Sequence, residues 1–451
     1  MIYAILKILS RLTIWGYFRK VKIVGQERIP KSGPYLFVAN HPSAFMDPIV
    51  VASSIRPPVY FIAAGEYVGT GLKGWFFNKA LHTIPVYRPS TRPEDAHKNK
   101  DMFVKCYEHL SKKGALLIFP EGLSLTEKKL KPLKTGTVRI AIGAEEQHAF
   151  ELGVPIIPIG LNYSDPHSFR SDLFVKIGKP IYVNELLEQD QRTDKDYQIA
   201  QTREITELIQ EKMQTTILHL DSEEEEELLD KLETIFYREV KKQLGVDYGD
   251  QEGEFKIQKD FISAIKYFKE NDAELFETTE QKVDEYIANL EKKGVSDKDI
   301  GEFGKRYRFR RVGTFILGLP FFIFGLIHNI LPYKLVGVLT GKIKIEVTFA
   351  GSMSLAIGLF SFLLWYIGVT IFIGKMFLGW WAVFYPVLIY TTGLYALLYT
   401  TAIRNSKQRK ILRTLAKTDR SLLSDLMSQR SMIITIFMDW QKEYSEKVLG
   451  I

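Results

Sequence analysis

The sequence predicts an α/β fold with a mostly parallel central sheet and flanking helices, followed by a helical region and by C-terminal transmembrane helices. Short apolar, β-rich runs alternate with helix-like stretches over residues 34–183. Residues 191–305 are rich in Glu, Lys, Gln and Leu, which is typical of helices. Three blocks without Asp, Glu, Lys or Arg then follow, and each reaches the ~20 residues that cross a bilayer. These blocks are 312–331, 349–374 and 376–403.

Composition limits the class of protein. The chain has 451 residues, of which 46% are hydrophobic and 25% charged, as in globular proteins. The single cysteine, Cys106, excludes an intrachain disulfide and a cysteine-based metal cluster. The eight histidines show no metal-ligand spacing, so no metal and no cofactor is expected. The net charge of +7, beside so much apolar sequence, favours an anionic membrane surface or phosphorylated ligands over nucleic acid.

Residues 1–20 are apolar but interrupted by basic residues, and no small-residue cleavage site follows them. We expect an amphipathic helix in the membrane interface, with aromatic rings at headgroup depth and basic side chains in water. The aromatic residues are Trp15, Tyr17 and Phe18, and the basic residues are Lys7, Arg11, Arg19 and Lys20. The alternative is an amphipathic helix docked on its own domain.

Shifts in composition divide the rest of the chain. We expect an α/β domain at 21–190, a charged helical region at 191–305, membrane segments within 312–403 and a basic cytoplasmic tail at 404–451. Residues 221–230 hold seven acids, which favours a solvated helix face or a linker over an acidic partner site or a metal site.

Two basic clusters flank the apolar blocks, and the positive-inside rule puts both on the cytoplasmic side. They are Lys305, Arg306, Arg308, Arg310 and Arg311, and then Arg404, Lys407, Arg409, Lys410 and Arg413. Three simple crossings would separate the clusters, so one block should be re-entrant or a tight hairpin. Block 312–331, interrupted by Gly318 and Pro320, fits best. The prediction is an integral membrane protein with its α/β domain on the cytoplasmic face.

His41 directly follows the apolar run at 34–40, and Asp47 lies six residues further on. Ligands of α/β sheets bind beyond the carboxyl ends of the strands, where His41 should project. A nearby carboxylate fixes the tautomer of an imidazole and stabilises its protonated form, so His41 could act as a general base. Alternatively, Asp47 caps a helix that starts at Pro48, and His41 is a loop residue.

Two further strand ends carry polar groups. Arg88 ends the run at 83–88 and suits bidentate phosphate binding. After the run at 115–120, Glu121 and Ser124 offer an acceptor and a donor to a polyol, while Gly122 allows close backbone approach. The basic residues that follow form either an electropositive funnel for anionic substrates or a solvated loop. They are Lys128, Lys129, Lys131, Lys134 and Arg139.

Four blocks in this order resemble the PlsC-type glycerolipid acyltransferases, over roughly residues 20–185. They are Asn40, His41 and Asp47; the Ile84-Pro85-Val86-x-Arg88 block; Phe119-Pro120-Glu121-Gly122 with Ser124; and the apolar Val154-Pro155-Ile156-Ile157-Pro158 block. The resemblance implies that His41 is the general base and that Asp47 orients it. It also implies that Arg88, Glu121 and Gly122 hold the acceptor, with Asn40 and Ser124 in the same site.

Two departures from the family pattern bear on the substrate. Five residues separate His41 from Asp47, whereas four is the commonest spacing. The longer spacing resembles the subgroup, known best from fungi, that acts on glycerol 3-phosphate or dihydroxyacetone phosphate. Leu123-Ser124 follows the FPEG block, where Thr-Arg-Ser is frequent, so the usual second phosphate contact is missing. Lys134 or Arg139 could replace it.

The resemblance implies a membrane-bound O-acyltransferase of phospholipid biosynthesis, and the positive-inside rule puts its catalytic domain on the cytoplasmic face. Acyl-CoA or acyl-carrier protein would donate to glycerol 3-phosphate or dihydroxyacetone phosphate; the alternative acceptor is lysophosphatidate, which would give phosphatidic acid. Direct transfer is expected, since no activated Ser or Cys nucleophile is evident. A non-catalytic lipid-binding scaffold is a further alternative. A serine hydrolase is disfavoured because no G-x-S-x-G elbow occurs near the site.

Overall fold

The structure is a computed structural model, and its chain divides into two compact units. The described residues are 2–69, 71–87, 93–191, 193–243, 246, 250–301, 303, 310–343, 346–376 and 381–449. The first unit comprises Met1–His219 with Lys344–Leu355, and the second comprises Leu220–Ile343 with Ala356–Ile451.

An eight-stranded sheet forms the centre of the first unit. Its strands are β1 (Lys20–Val24), β2 (Tyr35–Ala39), β3 (Val59–Ala64), β4 (Thr83–Val86), β5 (Ala115–Ile118), β6 (Pro155–Tyr163), β7 (Asp172–Ile177) and β8 (Ile181–Tyr182). Their order is β1-β7-β6-β2-β5-β3-β4, and β8 also pairs with β6. All pairings are parallel except those of β6 with β7 and with β8. The predicted mostly parallel α/β fold is confirmed.

Helices cover both faces of this sheet. They are α1 (Ile2–Tyr17), α2 (Met46–Ser54), α3 (Gly65–Val68), α4 (Gly71–Trp75), α5 (Asn99–Ser111), α6 (Gly136–Glu146), α7 (Val183–Leu186) and α8 (Lys195–Gln214). Because side chains alternate along a strand, Leu36 and Val38 of β2 pack towards α5, α6 and α8, while Phe37 packs towards α1 and α2. Through α8 the first unit reaches His219, beyond the change in composition at residue 190.

The basic side chains of helix α1 donate to backbone carbonyls of the first unit, to which the helix belongs, whereas the sequence predicted that they face water. The Lys7 ammonium donates to the carbonyl oxygens of Ile55 and Arg56, both at 2.9 Å, and Arg11 Nε donates to that of Ser53 at 2.9 Å. These carbonyls lie at the C-terminus of α2, where a helix favours cations.

The opposite face of α1 is apolar and exposed. Tyr17 and Phe18 are buried in the core, so they do not lie at headgroup depth as expected. Five apolar side chains on the other face are instead 47–60% exposed. They are Ile2, Ile5, Ile8, Leu12 and Trp15. Their spacing of three and four residues makes one continuous stripe, which we call the α1 stripe.

The second unit is helical throughout its described elements. These are α9 (Glu223–Gln243), α10 (Gln251–Asn271), α11 (Ala273–Lys293), α12 (Asp297–Gly301), α13 (Arg310–Lys342), the later part of α14 (Val347–Met376), α15 (Trp381–Thr418) and α16 (Arg420–Tyr444). A buried ion pair joins α12 to α16, since Arg430 Nε donates to Asp297 at 2.8 Å. The Tyr286 hydroxyl of α11 also donates to Asp297, at 2.8 Å.

Three of these helices are long and apolar enough to cross a membrane, over Phe315–Lys342, Val347–Lys375 and Phe384–Thr418. Helix α13 is continuous through Pro320 and Pro332, so the predicted re-entrant break at 312–331 is wrong. The small residues of α13 allow close packing, and Gly325 lies against the backbone of Thr392. A continuous helix also satisfies nearly every backbone group internally.

The side on which the basic clusters lie stays a prediction. Lys305, Arg306 and Arg308 of the first cluster fall outside the described residues.

A polar cluster joins the three apolar helices. The Asn329 amide of α13 donates to the Ile389 carbonyl of α15 at 3.1 Å, and its oxygen accepts from the Tyr366 hydroxyl of α14 at 2.6 Å. The Tyr385 hydroxyl lies 2.8 Å from Nε2 of His328, next to Asn329. Hydrogen bonds of this kind hold apolar helices together where burial of apolar surface gives little driving force.

Replacing Asn329 by Leu should loosen this bundle, because both interhelical hydrogen bonds of the amide are lost. We expect the free energy of unfolding of the detergent-solubilised protein to fall by about 1 kcal/mol. The measurement is a denaturant titration followed by circular dichroism. Thr391→Val is the control, since the Thr391 hydroxyl donates only within its own helix. Equal midpoints for the two variants would contradict the role of Asn329.

Candidate active site

His41 and Asp47 are in direct contact at the carboxyl end of β2. The His41 Nδ1 lies 2.8 Å from Oδ2 of Asp47, and the side chain of His41 keeps 19% exposure whereas that of Asp47 has none. Asp47 lies in the first turn of α2, and the N-cap residue is Phe45, without a side-chain cap. The alternative prediction, that Asp47 caps the helix, is therefore wrong. Its carboxylate instead contacts the loop that carries His41.

Asp47 accepts hydrogen bonds from three groups. Besides the imidazole, the backbone N–H of Ser43 donates to Oδ2 at 2.7 Å, and the Tyr163 hydroxyl donates to Oδ1 at 2.8 Å. Burial, followed by the charge of Asp47, raises the pKa of Tyr163 well above its usual value, so the phenol keeps the proton that it donates. An ionised carboxylate only accepts, so His41 carries its proton on Nδ1 and leaves a lone pair on Nε2.

Tyr163 does not appear among the residues expected from the sequence. It ends the run 155–163, so the strand-end rule that selected His41 and Glu121 also points to it.

The loop after β5 supports the His41 backbone and ring. The imidazole stacks on the Phe119 ring, with centroids 4.0 Å apart and planes 15° apart. Glu121 is buried, and its two oxygens accept from the backbone N–H groups of His41 at 2.9 Å and Lys131 at 3.0 Å. Glu121 therefore ties the loop that carries His41 to the loop after β5, and its contact with an acceptor stays a prediction.

Gly122 has a left-handed backbone, with φ of 76°, in the turn that follows Phe119. The Lys134 side chain occupies the space above it, since a β-carbon on Gly122 would lie 2.5 Å from Lys134 Nζ. Lys134 is exposed and lies beside the site, whereas the Arg139 guanidinium lies 4.8 Å from the centre of the Phe103 ring on α5. Of the two residues expected to replace the missing arginine, only Lys134 lies beside the FPEG turn.

Of the remaining residues predicted from the sequence, two bind the backbone near His41 and one lies beyond the part of the chain that the structure describes. The Asn40 side chain exchanges two hydrogen bonds with the backbone of Leu161, at 3.0 and 2.7 Å, and so joins β2 to β6. The Ser124 hydroxyl accepts from the backbone N–H of Ala44 at 2.8 Å, which fastens the spacer between His41 and Asp47. Arg88 lies outside the described residues. Within the described ranges, no three His, Cys, Asp or Glu side chains gather as a metal site.

Residues 20–162 match the family model described as Acyltransferase, which confirms the predicted resemblance for this segment. Glycerol-3-phosphate O-acyltransferase 1 of Saccharomyces cerevisiae is 39% identical over 82 residues, which are 18% of this chain and 11% of the yeast protein. A chloroplastic 1-acyl-sn-glycerol-3-phosphate acyltransferase of Brassica napus is 28% identical over 187 residues, which are 40% of this chain and 49% of the plant protein. The chain thus spans about a tenth of the yeast relative and about half of the plant relative.

The crystal structure of the 1-acyl-sn-glycerophosphate acyltransferase PlsC from Thermotoga maritima is also similar. It has 21% sequence identity and a TM-score of 0.32, and the match covers 46% of this chain and 79% of that one.

Glu121 should make stability depend on pH. Burial, the main cause, raises the pKa of Glu121 above its ordinary 4.5, so the folded state holds the proton more tightly than the unfolded chain does. The free energy of unfolding should therefore fall as pH rises from about 4.5 through the folded pKa, and Glu121→Gln should remove that part of the decline. Denaturant titrations between pH 4.5 and 7 measure the slope.

The control for this slope is Glu127→Gln, because Glu127 is half-exposed and pairs with Lys131 at the surface. The control should keep the wild-type slope. A wild-type slope in Glu121→Gln as well would show that Glu121 is not the group responsible.

Proposed function

We propose that the acyltransferase domain of this chain moves a fatty acyl group from an acyl thioester to a hydroxyl of glycerol 3-phosphate or dihydroxyacetone phosphate, in phospholipid biosynthesis. The donor would be acyl-CoA or acyl-carrier protein. The observation that carries the proposal is the contact between His41 Nδ1 and the fully buried Asp47 carboxylate, with the imidazole partly exposed. The family match over residues 20–162 supports it.

The chemistry follows from the free lone pair of His41. Nε2 removes the proton from the acceptor hydroxyl as its oxygen attacks the thioester carbonyl carbon. The tetrahedral intermediate then collapses, its carbon–sulfur bond breaks, and the departing thiolate takes the proton from the imidazolium. Asp47 stabilises the positive charge that His41 carries between these steps. General-base catalysis of this kind typically contributes about 10²–10⁴-fold in rate.

No acyl-enzyme is required in this scheme. Cys106 is buried, and burial raises the pKa of its thiol to about 12, so it is a poor nucleophile. The Ser124 hydroxyl is engaged with the spacer loop. These features argue against the hydrolase alternative. The direct contact between His41 and the buried Asp47 carboxylate argues against a non-catalytic lipid-binding scaffold.

Two acceptors have specific support. The five-residue spacer and the names of the yeast relatives favour glycerol 3-phosphate. The plant relative, which is named for 1-acyl-sn-glycerol-3-phosphate, supports lysophosphatidate as the second candidate. Both acceptors carry a phosphate. We propose that Lys134, beside the FPEG turn, is the cation that binds this phosphate.

The proposal places the enzyme in a membrane, with the catalytic domain on the cytoplasmic face. Three helices have the length and apolarity for membrane spans. The α1 stripe supplies an additional apolar surface that could enter the interface, as the sequence predicts. The acyl product would then remain in the lipid phase.

The acceptor comparison tests the proposed function. Purified full-length protein in lipid nanodiscs is given one labelled acyl-CoA with glycerol 3-phosphate, dihydroxyacetone phosphate or lysophosphatidate in turn. We expect acyl transfer to the first two acceptors to be fastest, and thin-layer chromatography identifies each product. Product from lysophosphatidate alone would establish the second candidate instead.

His41→Ala is the control for the same assay. It should reduce turnover to background while the circular dichroism spectrum stays that of the wild type. Near-normal turnover in this variant would end the proposed mechanism.

Lys134→Gln should weaken acceptor binding, because a charged contact to the phosphate is lost. We expect the KM for the phosphorylated acceptor to rise about tenfold with little change in the KM for acyl-CoA. Arg139→Gln is the matched control, since Arg139 lies against Phe103, and its kinetics should equal those of the wild type. A larger KM effect in Arg139→Gln would reverse the assignment.

A further inference from the structure

The first turns of α14 pack on the loop between His41 and Asp47. Residues 344–355 belong to the first unit, although the helix continues as an apolar segment long enough to cross a membrane. Leu355 is only 4% exposed and lies in the same apolar core as Met46 and Tyr163. This part of α14 is therefore a component of the domain that carries the candidate active site, 180 or more residues beyond the segment that matches the family.

Gly351 makes the closest approach. A β-carbon on Gly351 would lie 2.2 Å from the Pro166 carbonyl oxygen and 3.3 Å from the Ser43 hydroxyl. The first distance is impossible for a real β-carbon and involves backbone, so α14 reaches this position only with glycine there. Two residues earlier, the Phe349 ring meets the Phe45 ring edge to face, with centroids 5.5 Å apart.

The loop residues that α14 touches help to fix the position of the Asp47 carboxylate. Ser43 is fully buried, its backbone N–H donates to Asp47 at 2.7 Å, and its carbonyl accepts from Met46 at the start of α2. Phe45, in turn, is the N-cap residue of α2. A displacement of Ser43 would move a donor to Asp47, and the His41–Asp47 contact depends on that carboxylate.

We infer that residues 349–355 of α14 position the catalytic loop, and that Gly351 is the positioning residue which allows the helix to seat against Ser43. Both Ser43 and Phe45 lie in the five-residue spacer between His41 and Asp47. The inference rests on the proposed function for its kinetic consequence, but the packing that it invokes can be measured without any substrate.

Gly351→Ala tests this inference. The added methyl group must push α14 or the Pro166 loop outward, so we expect kcat to fall at least about tenfold. The KM for either substrate should stay within about twofold, since the atoms nearest to Gly351 belong to Pro166 and Ser43 and not to Lys134 or Glu121. Gly368→Ala is the matched control in the same helix, because no described atom outside the adjoining helix backbone lies within 4 Å of its β-carbon position.

Hydrogen–deuterium exchange in nanodiscs gives the readout that does not need activity. Peptides covering residues 42–47 should exchange faster in Gly351→Ala than in the wild type and in Gly368→Ala. Peptides covering β5 should be the same in all three proteins. Wild-type exchange at 42–47 together with wild-type kcat in Gly351→Ala would overturn the inference.

Two further outcomes keep the two proposals separate. If wild-type protein transfers no acyl group, the proposed function fails while the exchange result still decides the packing role. If Gly351→Ala exchanges faster throughout β5 as well, the variant has unfolded, and Phe349→Ala takes its place. That variant removes the Phe45 contact without a clash. Faster exchange confined to 42–47 then supports the inference, and unchanged exchange there overturns it.

Discussion

The site depends on one buried carboxylate. Asp47 has no solvent exposure, and an ionised carboxylate removed from water is stable only if hydrogen-bond donors replace its hydration. Three donors do so: the His41 ring, the Ser43 backbone and the Tyr163 hydroxyl. They come from the end of β2, the spacer loop and the end of β6. Satisfying Asp47 therefore fixes the relative positions of three chain segments, and the tautomer of His41 follows from the same requirement.

A second buried carboxylate, that of Glu121, holds backbone segments together. Glu121 accepts only backbone N–H groups, one beside His41 and one at Lys131, and so it fastens two loops at the same sheet edge. Asp47 orients the imidazole from one side and Phe119 stacks on its face, while Glu121 holds its backbone. Among the described residues the second imidazole nitrogen, Nε2, has no hydrogen-bond partner, which is the arrangement that a general base requires.

Helix α1 reverses the usual amphipathic pattern. Its cations face the carbonyl oxygens at the end of α2, and its apolar stripe faces outward. In water such a stripe is unfavourable, whereas at a lipid surface its apolar area would be removed from water. This arrangement reconciles the two expectations for the N-terminus, since one face docks on the domain and the other remains available to a membrane. The apolar helices of the second unit are held together by the hydrogen bonds of Asn329. Polar contacts are needed there because burial of apolar surface gives little driving force between helices whose surfaces are all apolar.

The sequence by itself determined the mostly parallel α/β class, the helical region, the apolar helices and the pairing of His41 with Asp47. Each of these depends on periodicity, on composition or on residues six positions apart. Only the tertiary structure decided that Tyr163, 116 residues from Asp47, completes the carboxylate shell, that Lys134 and not Arg139 lies by the FPEG turn, and that Gly351 seats a helix on the spacer loop. The same holds for α13, which stays helical through Pro320. A local pattern records what neighbouring residues prefer, whereas hydrogen bonds to a buried charge and close helix packing depend on partners that only the folded chain brings together.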